Sequence, residues 1–366
     1  MTTIYRAETI GSLLRPNVLQ EARTAWMKGT LPTHEFKRVE DRAVDAAVAL
    51  QERVGLNVVT DGEMRRLVFT GTLTEAIDGL SSVPTPTWHW HGDKPEDELD
   101  FHLPVCVTGK IRRRRSLATE EFAYVRGQTE RAVKMTLPSP LMLSLFWSPE
   151  HSTAAYRDPF ALFADAVDIL REEVRELATL GCRYIQIDAP EIATLVDNVQ
   201  RQRTYVARGV SPERMLGEGI DMLNALVDAP GVTFGLHFCK GNNAGHWMSQ
   251  GGYETISQQV FQRATKYDIF LLEYDDERSG SFEALHDIPQ DKIAVLGLIS
   301  TKRNDIESAD ALLARINEAS QFFPREQLAL STQCGFASVF KGNPISEAAQ
   351  EAKLRLVVNV AQQVWG

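Results

Sequence analysis

His237 and Cys239 stand two residues apart at the end of an apolar run, VTFGLHFC. In an extended chain, residues two apart point to the same side, so an imidazole and a thiol can converge there. A borderline-soft cation such as Zn²⁺ accepts both donor types. Glu273 closes another apolar run, DIFLLEYD, and Cys334 closes a third, QLALSTQC. Together His237, Cys239, Glu273 and Cys334 make a tetrahedral N/S/O set for zinc. Zinc deprotonates a coordinated thiol, and the thiolate is the nucleophilic form. A sulfur-rich zinc centre is less electrophilic than one built from three histidines. Alkyl transfer to sulfur is therefore the reaction class expected, ahead of hydrolysis. Cys106, in PVCVTG, and Cys182, in LGCRYIQI, lie inside apolar runs and read as core thiols. Four widely spaced cysteines are not a disulfide framework.

These donors need elements that bring distant segments to one place. Eight short apolar runs recur: Asn57–Thr60, Pro104–Ile111, Pro140–Phe146, Tyr184–Asp188, Val232–Cys239, Asp268–Asp275, Lys292–Ser300 and Gln327–Cys334. Near-continuous Val, Ile and Leu is how strands of a doubly covered parallel sheet read. Helical periodicity fills several of the intervals. Phe160, Phe163, Val167, Leu170, Val174 and Leu177 recur at spacings of three and four, with Asp158 as cap, Pro159 at the first turn and Gly181 beyond the end. Ser346–Trp365 and Thr33–Val54 read as helices too, the latter ahead of the first strand.

The expected fold class is α/β, a (β/α)8 TIM barrel spanning residues 1–366 as a single catalytic domain. It carries an N-terminal helical extension and an insertion, residues 80–103, after the first strand. A doubly wound sheet is the alternative, weakened by the lack of GxGxxG after the first run. Barrel enzymes work at the C-terminal ends of their strands. Reactive types gather there: Asp61 and Glu63, Asp188 and Glu191, His237 and Cys239, Glu273 with Asp275 and Asp276, and Cys334.

Composition narrows the function. Of 366 residues, 39 are Lys or Arg and 49 Asp or Glu, a net charge of −10 that argues against a nucleic-acid partner. No apolar run reaches the ~18–20 residues of a membrane helix. The N-terminus lacks the pattern of a secretory signal, so a cytoplasmic location is expected. A homo-oligomer is compatible with the sequence, which does not fix the oligomeric state.

Seven segments in order resemble the catalytic barrel of cobalamin-independent methionine synthase, in its short single-barrel form. They are ETIGSLLRP from Glu8, VTDGEMRR from Val59, YIQIDAPEI from Tyr184, LHFCKGN from Leu236, LLEYDDERSG from Leu271, VLGLISTK from Val295 and LSTQCGFASVFKGN from Leu330. The resemblance implies zinc at His237, Cys239, Glu273 and Cys334, the set reached above. It implies homocysteine as the thiol acceptor, its ammonium held by Asp188 and Glu63 and its carboxylate near the backbone of Ile10, Gly11 and Ser12. It further implies a methyl-tetrahydrofolate donor whose pterin stacks on an aromatic near the third strand, where Phe146 and Trp147 lie.

The sequence departs from the pattern in three places. Ala189 replaces the second carboxylate of the QIDEPA motif. Ser300-Thr301-Lys302 replaces a DxHS segment whose His protonates the leaving folate nitrogen; Lys302 is able to bind an anion or act as the acid. The duplicated half of the long enzymes is absent, which leaves the methyl donor open. The run Arg112–Arg115 is placed at the barrel top as a basic turn or an anion site. Trp88-His89-Trp90-His91 is read as a lid or packing loop, with no carboxylate or Cys at ligand spacing in sequence. Two other functions compete: a thiol-epoxide transferase of the hydroxyalkyl-coenzyme M lyase type, and a non-catalytic metal-binding barrel. Asp188 and Glu63 favour an amino-acid acceptor, because coenzyme M has no ammonium.

Overall fold

The structure, a computed structural model, describes residues 3–92 and 94–366. Two short strands come first, β1 (Ala7–Glu8) and β2 (Val58–Val59). Four strands outside the main sheet follow: β3 (Ile77–Ser81), β4 (Trp88–Trp90), β5 (Leu99–Phe101) and β6 (Cys106–Arg113). The rest are β7 (Ala132–Pro138), β8 (Tyr184–Asp188), β9 (Thr233–Phe238), β10 (Ile269–Glu273), β11 (Ile293–Ile299) and β12 (Leu328–Thr332). Eight of them form one parallel sheet in the order β1-β12-β11-β10-β9-β8-β7-β2, a nearly closed barrel with helices outside. The α/β (β/α)8 expectation holds.

Local sequence sets the helix ends. Asp158 accepts a hydrogen bond from the Phe160 N–H, Pro159 opens the helix to Thr179, and Gly181 follows at φ 98°. The Thr33–Val54 helix stops at Gly55, whose φ of 99° suits only glycine well. The larger core lies between sheet and helices. A second cluster, with Tyr184, Ile269, Leu271, Ile293 and Val295, fills the barrel interior from the strands' N-terminal halves. Beside it Lys134 Nζ lies 2.6 Å from Glu8 Oε2, a buried pair that the Tyr184 hydroxyl also contacts. The packed lower interior leaves chemistry to the C-terminal end.

Two strand assignments need correction, and two barrel strands were missed. Pro104–Ile111 contributes to β6, which pairs antiparallel with β3 outside the barrel. Pro140–Phe146 is a 3-10 helix, capped by Ser139. An apolar run of that length is equally consistent with a buried helical segment. The two missed barrel strands are β1 and β7. β1 has only two residues, too few for a pattern. In β7, Lys134 and Thr136 break the apolar run because they meet Glu8 and Glu63 inside the barrel. The Asn17–Met27 and Thr33–Val54 helices thus connect β1 to β2, and the insertion follows β2.

The basic run is not at the mouth. Arg113 pairs with Glu172, Glu173 and Glu176 of the Pro159–Thr179 helix, Arg114 with Asp78 and Arg115 with Glu75. No helix of the described residues is long and apolar enough to cross a membrane.

Candidate metal centre and active site

Parallel register brings the donors to one height. His237 on β9 is opposite Asp188 on β8 and Leu271 on β10, two residues before Glu273. Cys239 follows β9 directly, and Cys334 lies two residues beyond β12. One donor atom from each of His237, Cys239, Glu273 and Cys334 falls within 4.8 Å of the others, and all four residues are buried. The two Sγ atoms are 3.4 Å apart, far beyond a bonded pair and near the ~3.8 Å edge of a tetrahedron with Zn–S ≈ 2.3 Å.

Two observations show that the set fits a cation. His237 Nε2 and Glu273 Oε1 are buried with no hydrogen-bond partner, an expensive state unless an ion completes them. His237 Nδ1 lies 3.2 Å from the Leu271 carbonyl, which fixes the ring and presents Nε2 to the other donors. The Cys239 thiol at 3.4 Å, the neighbouring His237 and the Ser338 hydroxyl hold the Cys334 thiol well below its ordinary pKa, against the effect of burial. Burial pushes Glu273 up to about 7, with Lys302 opposing it. The Tyr253 hydroxyl donates to the Phe238 carbonyl and accepts from the Glu273 N–H, locking the β9 and β10 ends together.

Above the donors opens a cavity with about 690 Å³ of empty space, counting the open solvent at its mouth. Ile10, Gly11, Ser12, Glu63, Asp188, His237, Cys239 and Cys334 all line it. Asp188 Oδ1 accepts from Gln186 Nε2 at 2.7 Å, and burial raises its pKa to about 7. Glu63 Oε1 accepts from the Thr136 hydroxyl at 2.8 Å and lies 3.6 Å from Arg66 Nη1, while its Oε2 has no partner. Glu63 has φ 53°, a left-handed conformation unusual for a non-glycine residue. The Arg15 guanidinium donates to its carbonyl, and Asp61 accepts from its N–H. A Cβ at Gly11 would lie 2.6 Å from Glu63 Oε1, so any larger residue there has to displace that carboxylate. Ser12 is stitched to the Cys334 loop by Phe336 N–H to its carbonyl and Ala337 N–H to its hydroxyl.

Other expected residues lie elsewhere. Phe146 and Trp147 are buried in the main core, and Met142 and Leu145 of the same segment face the cavity instead. Lys302 Nζ is 3.5 Å from Asp275, and the residue lines a neighbouring cleft with His246, Arg278 and Arg303. Burial works against its charge, but Asp275 and Glu273 outweigh burial and raise its pKa. Sequence reading missed Trp90, Tyr205, Asn242 and Ser338 as wall residues. Asn242 donates to the Gly335 carbonyl, joining the two cysteine loops. Its position three residues after Cys239 at a strand end was an available signal; Tyr205 had none, because it comes from a distant helical turn. Burial raises Glu191, beside Ser139 Oγ, to about 8.

The sequence model of the cobalamin-independent synthase catalytic domain matches residues 5–363. The chain belongs to this family. It is 32% identical to the uncharacterized protein YxjH of Bacillus subtilis, over 99% of this chain and 95% of that one. It is 23% identical to the methionine synthase of Pyrococcus abyssi, covering 91% of this chain and 86% of the relative. Among solved structures, the putative vitamin-B12 independent methionine synthase of Listeria monocytogenes superposes with TM-score 0.74 at 26% identity, over 100% of this chain and 99% of that one. The B12-independent methionine synthase of Shewanella, solved with selenomethionine, gives TM-score 0.77 at 22% identity, over 99% and 98%; this likeness concerns the fold. The family and these relatives indicate methyl transfer of the methionine-synthase kind.

Proposed function

We propose that this protein is a zinc-dependent methyltransferase that methylates the thiol of homocysteine, forming methionine. The observation that carries the reading is the convergence of the His237, Cys239, Glu273 and Cys334 donors at the base of a cavity that two carboxylates, Asp188 and Glu63, also line. A zinc ion held by those donors would keep a substrate thiol in its nucleophilic thiolate form. Asp188 and Glu63 hold the acceptor's ammonium through charge-assisted hydrogen bonds. Gly11 and Ser12 offer N–H donors to its carboxylate, at a turn held rigid against the Cys334 loop. The apolar wall of Phe69, Trp90, Met142 and Leu145 excludes water from the transfer and seats the methyl donor. Methyl-tetrahydrofolate is the donor to assay first.

The paired carboxylates favour this reading over a coenzyme M transferase, whose sulfonate thiol has no ammonium to satisfy them. Homocysteine and coenzyme M binding to the zinc-loaded protein tests the choice. Homocysteine binding that Asp188→Ala abolishes supports the proposal. Selective coenzyme M binding overturns it. Homocysteine methylation by the zinc-loaded enzyme, absent after chelation, separates both from a non-catalytic metal-binding barrel.

A further inference from the structure

The insertion carries a second constellation, away from the barrel centre. β4 and β5 pair antiparallel with His89 opposite Asp100, and the same register continues to place His91 opposite Glu98. Alternation puts His89 and His91 on one face of the hairpin, and Trp90 between them on the other. Sequence alone offered no carboxylate at ligand spacing beside the histidines; the strand pairing brings two across from them. His89 Nε2 lies 3.7 Å from one Glu98 oxygen, and His91 Nδ1 lies 3.8 Å from the other. The donors of all three residues fall within 4.8 Å of one another. Ligands about a tetrahedral zinc at ~2.0–2.1 Å stand roughly 3.3 Å apart, so small side-chain rotations close the site.

Asp100 completes the arrangement. Its carboxylate is 2.9 Å from His89 Nδ1, the partner that fixes a ligating ring and leaves Nε2 for the ion. The hairpin is also held in place before any ion arrives. His91 and Trp247 exchange backbone hydrogen bonds of 2.8 and 3.1 Å, Gln200 donates to the His89 carbonyl, and Arg208 donates to the Thr87 carbonyl. The histidine side chains are about one-fifth exposed, at 19% and 23%, so an ion can enter from solvent.

We propose that His89, His91 and Glu98 bind a second divalent cation of the zinc class, with Asp100 as the positioning residue for His89. Water fills the fourth position, since Asp100 is engaged with the ring. Trp90 lines the main cavity, so the ion sits on the back of the strand that presents this indole to the substrate. Occupancy stiffens the hairpin and fixes Trp90 over the cavity.

Cobalt(II) titration of the metal-free protein tests this. One equivalent develops the intense near-ultraviolet band of cobalt–thiolate bonds at the cysteine centre. A further equivalent adds no such band but quenches tryptophan emission, because the hairpin ion lies beside Trp90 and Trp88. His89→Gln/His91→Gln and Glu98→Gln lose the second equivalent and its quenching while keeping the thiolate band. Cys239→Ser shows the reverse. Asp100→Asn weakens the second site about 10-fold or more and leaves the first unchanged. A wild-type stoichiometry of one, or quenching and stoichiometry untouched by both hairpin variants, overturns the proposal. Glu98→Gln, on a side chain 47% exposed, guards against a folding defect in the histidine pair.

Discussion

Glu63 joins backbone strain to the binding site, and its replacement by glycine or alanine separates the two. With φ 53°, the residue occupies a region that costs a side-chain-bearing residue ~1–2 kcal/mol. Glycine escapes that cost but gives up roughly 0.4–1 kcal/mol through the entropy of the unfolded chain. Both variants lose the same side-chain contacts: one hydrogen bond from Thr136 at 2.8 Å and an ion pair with Arg66 at 3.6 Å. Arg66 is not stranded, because Glu121 remains at 2.7 Å and Thr136 still accepts from it. The side-chain losses cancel in the comparison, leaving Glu63→Gly more stable than Glu63→Ala by about 0.5–1 kcal/mol. At an ordinary helical or strand position, the order is the opposite. Urea denaturation of the two variants reads the difference as a shift in midpoint at constant slope. Both should bind homocysteine about 10–150-fold more weakly, the value of one charge-assisted hydrogen bond of ~1.5–3 kcal/mol. An alanine variant as stable as the glycine variant refutes the strain argument. Unchanged homocysteine affinity refutes the role of the carboxylate.

Cys239→Ser should purify with zinc content reduced at the cysteine centre, because a hydroxyl is a poor replacement for thiolate; elemental analysis after dialysis checks this, and full retention there would remove the residue from the ligand set. Gly11→Ala should cut homocysteine affinity by about 10-fold or more, with a stability change near 1 kcal/mol, because the added methyl displaces the Glu63 carboxylate. Titration calorimetry and melting read the two effects separately, and equal affinity with lowered stability would contradict the steric account. Glu191→Gln should flatten the pH dependence of stability. Burial raises the folded pKa of Glu191 to about 8, above its unfolded value, so its favourable contribution is complete in acid, below the unfolded pKa. That contribution is lost as pH rises toward 8, so the variant should gain on wild type between pH 5 and about 8 in denaturation midpoints. Parallel curves for the two proteins would show that the carboxyl titrates normally.

The candidate metal-donor set was legible because each donor closes an apolar run, and the ends of parallel strands meet on one rim. His237 and Cys239 carry a local signal in their spacing of two, which the alternation of β9 turns into convergence. Glu63 and Asp188 were found in the same way, from β2 and β8. The strand inventory was less legible. β1 and β7 are set by partners distant in sequence: β1 pairs with β12, and the polar residues of β7 are buried because Glu8 and Glu63 satisfy them. Periodicity cannot report an interaction between residues seventy or more positions apart, and it read the Pro140–Phe146 helix as a strand because burial alone made it apolar.

By itself, then, the sequence determined the alternating α/β architecture and pointed to four candidate metal donors and two carboxylates at strand ends, because those follow from local pattern and residue chemistry. Tertiary structure decided which side chains face the cavity. It sent Phe146 and Trp147 to the core, tied Lys302 to Asp275 in a separate cleft, and brought Trp90 to the cavity wall. It also set Glu98 and Asp100 across from His89 and His91. Each of these outcomes depends on packing and register between segments, and neither is written in the local order of residues.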